Sequence, residues 1–205
     1  MLPDPTVWIV DDDPSIRNSL KWLIESIGLA VKTCESAEQY LRVYVDGPGC
    51  LVTDLRMPGM SGLELQDALA ASGWQVPTIF LTAHAEVPIA VRALKNGGLD
   101  FIEKPFSNQQ LLDSIRRALA TDKVAREARA RRAAAIARLR ALSTREQEVA
   151  DLVVEGKSNK QIAAELSLSI KTVEFHRSHI MRKMGADSLA ALIHVVLIAK
   201  GLREP

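Results

Sequence analysis

The sequence predicts two domains: an N-terminal α/β domain built on a parallel sheet, and a smaller all-helical C-terminal domain. Short apolar runs alternate with amphipathic stretches over the first 120 residues, whereas every stretch after Leu142 has helical spacing. The charge balance also changes, from 10 Lys and Arg against 15 Asp and Glu in residues 1–119 to 16 against 10 in the remainder. We therefore expect domains at 1–120 and 142–205, joined by residues 121–141.

The first domain is expected to contain five strands, each followed by a helix. The strands are predicted at 7–10, 29–34, 50–53, 78–81 and 101–103, and the helices at 16–27, 36–43, 62–70, 89–95 and 108–119. Strands that alternate with helices in this way pair in parallel and are covered by the helices on both faces.

The joining segment is expected to be helical. Residues 120–141 contain neither Pro nor Gly and are rich in Ala and Arg, which are strong helix formers. The helix is therefore expected to continue from 108–119. Two alternatives remain open, a solvated linker helix and a coiled coil that starts from the stripe of Leu112, Ile115 and Leu119.

Four further helices are expected in the C-terminal domain, near 144–155, 159–166, 170–184 and 188–199. Ser143 and Glu146 have the spacing of a capping box at the start of the first of these helices. Gly156 and Gly185 are expected to end the first and the third helix.

The composition excludes several classes of protein. Hydrophobic residues make up 47% and charged residues 25%, which excludes disorder throughout. The longest apolar run, 189–199, is too short to cross a bilayer, and the N-terminus lacks a basic and apolar signal stretch. Cys34 and Cys50 lie inside apolar runs and favour neither a disulfide framework nor a metal site. We expect a cytoplasmic protein with no membrane partner.

Polar side chains follow four of the predicted strands. They are Asp11, Asp12 and Asp13 after the first, Asp54 after the third, Thr82 after the fourth and Lys104 after the fifth. Ligands of open parallel sheets bind at the carboxyl ends of the strands. Crowded carboxylates suit Mg²⁺, Asp54 can attack phosphorus, and Thr82 and Lys104 can stabilise the transferred oxygens. Taken singly, Asp13 and Thr82 are ordinary helix caps and Lys104 an ordinary turn residue.

Residues 1–120 resemble the receiver domain of bacterial two-component response regulators. The resemblance is carried by IVDDD (9–13), LVTDLRMPGMSG (51–62), FLTAH (80–84) and DFIEKPF (100–106). It implies a flavodoxin-like (βα)5 fold with Asp54 as the phosphoacceptor. It also implies that Mg²⁺ is held by Asp12 directly, by Asp11 mainly through water, by Asp54 and by the backbone carbonyl of Arg56.

The same resemblance implies a conformational switch. Thr82 and Lys104 would couple phosphorylation to conformation, and Phe101 would be the aromatic switch residue. The peptide bond between Lys104 and Pro105 is expected to be cis. A phosphorylated homodimer is expected to form through the face made by 89–97 and 101–103.

A helix-turn-helix is expected in the C-terminal domain, because only residues 167–169 separate its second and third helices. Val173, Ile180 and Met184 would form the inward stripe of the third helix. Residues 141–205 hold 9 basic against 8 acidic residues, so charge and spacing alone leave DNA binding open.

Residues 142–200 resemble the LuxR-type DNA-binding domain, and the whole chain resembles FixJ-type regulators, most closely over 82–106 and 172–184. The resemblance implies that 171–182 reads double-stranded DNA. The candidate contacts are Asn159, Lys160, Lys171, Thr172, Glu174, Phe175, His176, Arg177, Ser178, Arg182 and Lys183. His176 and His179 are expected to pack against the helices or to contact phosphate rather than to bind a metal. Two residues depart from the pattern: Ser167 replaces a frequent turn Gly, which predicts slight strain, and Phe175 replaces a frequent Val, which predicts altered base preference.

The function implied is that of a transcriptional response regulator, not an enzyme. A sensor histidine kinase would phosphorylate Asp54 with Mg²⁺, and the resulting dimer would bind DNA and act with RNA polymerase, as an activator by family tendency. One alternative is an aspartyl-phosphate phosphatase, but Arg56 stands where that class has a second acid. Another is a constitutive DNA-binding protein whose receiver is degenerate. The presence of the complete set, Asp11, Asp12, Asp54, Thr82 and Lys104, argues against it.

Overall fold

The computed structural model describes residues 4–83 and 98–201. The chain divides into two compact units, Met1–Arg126 and Glu127–Pro205. The division falls six residues after the predicted end of the first domain. The helix predicted at 89–95 lies outside the described residues.

The first unit is built on a five-stranded parallel sheet, as predicted. The strands are β1 (Thr6–Val10), β2 (Ala30–Cys34), β3 (Gly49–Asp54), β4 (Thr78–Thr82) and β5 (Gly98–Glu103). Their order is β2-β1-β3-β4-β5, and every neighbouring pair is parallel. This flavodoxin-like order places a ligand crevice between β1 and β3, where the direction of chain winding reverses.

Helices cover both faces of the sheet. The helices of this unit are α1 (Pro14–Glu25), α2 (Ala37–Val43), α3 (Gly62–Ala71) and the first part of α4 (Asn108–Arg140). Alternate β1 side chains point to opposite faces. Val7 and Ile9 therefore pack in the cluster that includes α1 and α4, whereas Trp8 and Val10 pack in the cluster that includes α2 and α3.

The edge strand β2 is more exposed than the central strands. Ala30, Lys32 and Thr33 are exposed, whereas every residue of β4 is buried. The Lys32 ammonium lies 5.0 Å from the centroid of the Trp8 ring. Trp8 in turn packs edge-on against Tyr40 and Tyr44. Next to β2, one face of the sheet is therefore covered by an aromatic cluster, with the Lys32 ammonium over the ring of Trp8.

The helix α4 runs without interruption from Asn108 to Arg140, so the predicted helical continuation is confirmed. Asp122 is buried and accepts hydrogen bonds from the Gly49 N–H at 2.9 Å and from the Arg126 Nε at 2.9 Å. Arg126 also bonds to Asp46 at 2.7 Å. These contacts hold residues 121–126, which the sequence assigned to the linker, on the first unit.

The last turns of α4 belong to the second unit. Ala135 is 5% exposed, and Leu139 packs against the core of this unit. The Arg138 Nη1 donates to the Met184 carbonyl at 3.1 Å, and the Arg132 guanidinium lies beside Gly201. Between these two sets of contacts, residues 128–134 are exposed.

The remaining helices of the second unit are α5 (Thr144–Val154), α6 (Asn159–Glu165), α7 (Ile170–Met184) and α8 (Leu189–Lys200), close to their predicted bounds. The predicted capping box of Ser143 and Glu146 is present. Gly156 and Gly185 have φ values of +82° and +63° just after α5 and α7, as expected of helix-ending glycines. None of the helices within the described ranges is long and apolar enough to span a bilayer.

Candidate functional site

The carboxyl ends of β1, β3, β4 and β5 meet around one cavity of about 340 Å³. Its lining residues are Asp11, Asp12, Asp13, Ile16, Asp54, Arg56, Thr82, Ala83 and Lys104. The structure therefore brings together all six residues that the sequence assigned to phosphoryl and metal chemistry. Strand direction explains the convergence, because parallel strands end at the same edge of the sheet.

Lys104 contacts the carboxylates of both Asp54 and Asp11 in this cavity. Its Nζ lies 2.7 Å from the Asp54 Oδ1 and 3.3 Å from the Asp11 Oδ2. Burial lowers the pKa of Lys104, but the bonds and charges of Asp54 and Asp11 outweigh it, and the net result is a raised pKa. The Lys104 backbone N–H donates to the Thr82 carbonyl at 2.6 Å, and the peptide bond to Pro105 is cis, as predicted.

The three consecutive aspartates after β1 have different environments. Asp11 is 2% exposed, and burial raises its pKa in spite of hydrogen bonds from the Asp13 N–H and Lys104. Asp12 is exposed and lines the cavity. Asp13 caps α1, accepting from the Ser15 N–H at 2.7 Å, so the prediction of a cap at this position is confirmed.

Asp54 ends β3 and is fixed by its own loop. Its Oδ2 accepts from the Arg56 N–H at 3.1 Å. The next residue, Leu55, donates its N–H to the Leu81 carbonyl at 2.8 Å and accepts from the Gly62 N–H at 3.1 Å. A Cβ at Gly62 would lie 2.4 Å from the Asp54 carbonyl oxygen, so only glycine permits this approach. The Asp54 carboxylate is thereby held at the cavity.

The donor set of the cavity is suited to Mg²⁺. It offers the carboxylates of Asp11, Asp12 and Asp54 and the backbone of Arg56, all hard oxygen donors. Over residues 4–83 and 98–201, no group of three or more His, Cys, Asp or Glu side chains is placed to hold a metal ion by itself, so Mg²⁺ here would need backbone and water oxygens as well. Mg²⁺ usually keeps several waters and takes one or two carboxylates, so a partly open site of this kind fits it.

Thr82 and Phe101, the predicted switch residues, lie on neighbouring strands. Thr82 is 2% exposed at the end of β4. Phe101 is half-buried on β5, with its ring centroid 6.3 Å from that of Phe80, in a cluster with Leu55 and Leu63. Of the predicted dimer face, 101–103 is described, and 89–97 lies outside the described residues.

The second candidate site is the outer surface of α7. Val173, Ile180 and Met184 are buried, which confirms the predicted inward stripe. The candidate DNA contacts on the other side of α7 are exposed at Lys171, Glu174, Phe175, Ser178, Arg182 and Lys183 and half-buried at Thr172, His176 and Arg177. On α6, Lys160 is exposed and Asn159 is half-buried.

Several of these polar residues also contact their own domain. The Arg177 Nη1 donates to the Asn159 Oδ1 at 2.9 Å, which joins α7 to α6. The Lys183 Nζ lies 2.7 Å from the Glu146 Oε2. Sequence reasoning missed this pair because it had already assigned Glu146 to the capping box.

Glu146 makes both contacts. Its carboxylate accepts from Lys183 and from the Ser143 N–H, which lowers its pKa to about 2. The ring centroid of His179 lies 4.1 Å from that of Phe175, and its Nδ1 lies 3.9 Å from the Glu146 Oε1. This places His179 in a packing position.

The turn before α7 contains the predicted strain. Ser167 has a φ of +52°, the left-handed region that favours glycine. Ser169 caps α7 by accepting from the Thr172 N–H at 3.1 Å.

Two family models match the chain. Residues 7–116 match the response regulator receiver domain, and residues 140–196 match the bacterial regulatory proteins of the luxR family. The first match covers the sheet and its acidic cavity, and the second covers the end of α4 and nearly all of the four helices that follow.

Several relatives match nearly the whole length of this chain. The transcriptional regulatory protein TdiR of Thauera aromatica is 43% identical over 94% of this chain and 85% of its own length. The transcriptional regulatory protein FixJ of Rhizobium meliloti is 46% identical over 96% of this chain and 97% of its own. The solved structure of the response regulator StyR is 44% identical and has a TM-score of 0.86, over 95% of this chain and 98% of that one.

Proposed function

Because the chain belongs to the FixJ-type two-component response regulators, which control transcription, we propose that Asp54 accepts a phosphoryl group from a sensor histidine kinase. The observation that carries the proposal is the position of the Lys104 ammonium, which contacts Asp54 and Asp11 at one edge of the sheet. A fixed cation beside the acceptor carboxylate stabilises the charge that develops during transfer. The family is one of transcription regulators and not of enzymes. We propose that this chain, too, is not an enzyme.

The proposed transfer uses groups that are already in place. A carboxylate oxygen of Asp54 bonds to phosphorus while the bond from phosphorus to the kinase histidine breaks. The Arg56 N–H and Lys104 orient the acceptor from opposite sides, one bonded to each carboxylate oxygen. Asp11, Asp12, Asp54 and the Arg56 carbonyl would hold Mg²⁺, which supplies positive charge to the phosphoryl oxygens when bound.

The proposed switch begins with Thr82. A phosphoryl group at Asp54 adds charge and acceptor oxygens beside this hydroxyl. Movement of Thr82 toward the phosphoryl group would free space for Phe101, which already packs against the neighbouring Phe80. The altered face around 101–103, with 89–97, would then pair with a second copy of the chain.

The proposed output is DNA binding by the paired C-terminal domains. The exposed side of α7 would enter the major groove, with Phe175 and Glu174 at base edges and Lys160 and Lys171 at phosphates. Pairing two domains raises affinity through effective concentration. Contact with RNA polymerase at the promoter would complete the role of a transcriptional activator. Two free, buried cysteines are consistent with the cytoplasm as the site of action.

The test is intact mass and light scattering of the full chain with acetyl phosphate and Mg²⁺. Wild type should gain one phosphoryl group and convert from monomer to dimer, and EDTA should prevent both changes. Asp54→Asn should gain none, whereas the control Asp113→Asn, at an exposed position, should behave as wild type. Failure of wild type to gain a phosphoryl group would overturn the proposal. A phosphorylated monomer would overturn the dimer step alone.

The second measurement is fluorescence anisotropy with a labelled promoter fragment. Phosphorylated wild type should bind more tightly than Asp54→Asn under the same conditions. Equal affinity of the two proteins would favour the alternative of a constitutive DNA-binding protein.

A further inference from the structure

Glu38 of α2 contacts the loop that follows the proposed phosphoacceptor. Its Oε1 accepts a hydrogen bond from the Met60 N–H at 2.9 Å, across 22 residues of sequence. The same oxygen lies 2.8 Å from the position that a Cβ at Gly59 would occupy. Gly59 also has a φ of +76°. The backbone at 59–60 is therefore shaped to receive this carboxylate.

The loop of residues 55–61 is fixed at its two ends by other contacts. At its start, Leu55 is bonded to β4 through the Leu81 carbonyl. At its end, Ser61 and Glu64 form the capping box of α3. Between these ends, Met57 is buried against the core and Glu38 binds the backbone at Met60. The side chain of α2 thus supplies a polar contact to the middle of the loop.

This loop carries the backbone of Arg56 at the cavity. The Arg56 N–H bonds to Asp54, and Arg56 lines the cavity that would hold Mg²⁺. Displacement of the loop would change the distance between this backbone and the carboxylates of Asp11 and Asp12. Groups that orient metal ligands without touching the metal commonly change metal affinity by 10- to 100-fold when removed.

We propose that Glu38 is a positioning residue of the phosphorylation site, which holds the loop after Asp54 in the geometry that binds Mg²⁺. The proposal rests on the proposed function of the acidic cavity. Glu38 itself does not line that cavity, so its effect is transmitted through the Gly59–Met60 backbone. Its hydrogen bonds to backbone N–H groups, its own first and that of Met60 second, lower the pKa of the carboxyl, so the acceptor is charged at neutral pH.

The test is a Mg²⁺ titration of the full chain followed by amide NMR, with no phosphodonor present. Glu38→Ala removes the acceptor and should weaken Mg²⁺ binding about tenfold. Glu38→Gln keeps an acceptor oxygen of the same reach and should bind within about twofold of wild type. Hydrogen exchange of the Met60 N–H should be faster in Glu38→Ala than in Glu38→Gln.

The matched control is Asp122→Asn. Asp122 bonds to Gly49 at the start of β3, whereas Asp54 ends the same strand, so the two sites lie at opposite ends of the sheet. This variant should lower the melting temperature and leave Mg²⁺ affinity unchanged.

Two results would overturn the assignment of Glu38. One is Mg²⁺ affinity in Glu38→Ala equal to that of wild type. The other is an equal loss of affinity in Glu38→Ala and Asp122→Asn, since that would reflect general destabilisation. Absence of Mg²⁺-dependent shifts in wild type is a different result, which would overturn the metal step of the proposed function and the role of Glu38 with it.

Discussion

At the carboxyl edge of the sheet, Lys104 lies within 3.3 Å of carboxylates from two other strand ends, whereas along α7 the side chains of Lys171, Glu174 and Phe175 lie exposed on one helix. The difference agrees with the two tasks proposed for these sites. Phosphoryl chemistry within a chain requires groups fixed against one another before the reaction. DNA recognition requires exposed groups that the grooves and phosphates of the partner then order. The positions of the side chains are therefore fixed more closely at the acidic cavity than on the exposed side of α7.

The largest predicted effect concerns how much of α4 the DNA-binding unit needs. A fragment of residues 142–205 lacks buried Ala135, the packing of Leu139 and the bond from Arg138 to the end of α7. Relative to a fragment of residues 127–205, it should lose about 4 kcal/mol of unfolding free energy, from lost burial and a lost helix-end contact. Urea denaturation of the two fragments measures the difference. Equal stability would mean that the end of α4 is a linker only.

The next effect tests the convergence at the acidic cavity. Lys104→Met leaves Asp54 and Asp11 without their shared cation, at side chains that are 14% and 2% exposed. Breaking a largely buried pair in this way should cost about 3 kcal/mol without metal. Mg²⁺ should recover part of this lost stability. It should raise the unfolding free energy of Lys104→Met by more than it raises that of wild type.

The control for that experiment is an ion pair outside the cavity. Arg116 and Asp113 are 57% and 46% exposed, so Arg116→Met should change the free energy of unfolding by less than about 0.5 kcal/mol. Urea denaturation with and without Mg²⁺ measures both variants. A loss in Lys104→Met no larger than in Arg116→Met would contradict the role assigned to the convergent charges.

A smaller effect tests the internal contacts of the DNA-binding unit. Glu146→Gln weakens the contacts to Lys183 and to the Ser143 N–H, and should cost about 2 kcal/mol at pH 7. Folding lowers the pKa of Glu146 from 4.5 to about 2, so its contribution is complete above pH 4.5 and is lost as pH falls toward 2. The stability difference between wild type and Glu146→Gln should therefore narrow over that range. A difference that stays constant from pH 7 to pH 2.5 would contradict this assignment.

The smallest effect concerns the turn before α7. The left-handed conformation of Ser167 costs about 1 kcal/mol, and Ser167→Gly removes that cost. Glycine also gives the unfolded chain more conformational freedom, which offsets part of the gain. The net gain should be about 0.5 kcal/mol, measured as a small rise in melting temperature. Gly156→Ala is the matched opposite: it has open space around the added Cβ but a φ of +82°, and it should destabilise by about 1 kcal/mol. Two changes of the same sign would show that backbone strain does not govern these turns.

Much of the fold and of the acidic cavity could be predicted from the order of residues along the chain. Runs such as those before Asp11 and Asp54 are buried strands with a polar residue at one end, and parallel pairing brings those ends together. Capping residues such as Ser143 mark helix starts because they satisfy local N–H groups. These signals depend on residues close together in sequence, so they can be recognised without knowledge of the tertiary structure.

The contacts that could not be predicted from the sequence join residues of α4 to residues far away along the chain. Residues 120–141 have the composition of a solvated helix, which gives no sign that Asp122 is buried against Gly49 or that Arg138 binds the end of α7. The four-residue spacing of Asp122 and Arg126 could have indicated a pair on one face. Asp46, the further partner of Arg126, could not be found in that way, since it lies 80 residues away.

The outer edge of the sheet also has a consequence for solubility. An unpaired strand presents N–H and C=O groups that another chain can extend into a continuous sheet, which is a common route to aggregation. The edge strand β2 is only five residues long, and it carries the Lys32 ammonium above the Trp8 ring. Pairing with a second β2 would bring two lysine charges together and remove them from water. Such an edge disfavours fibrils, and Lys32→Val is the substitution that would be expected to promote them.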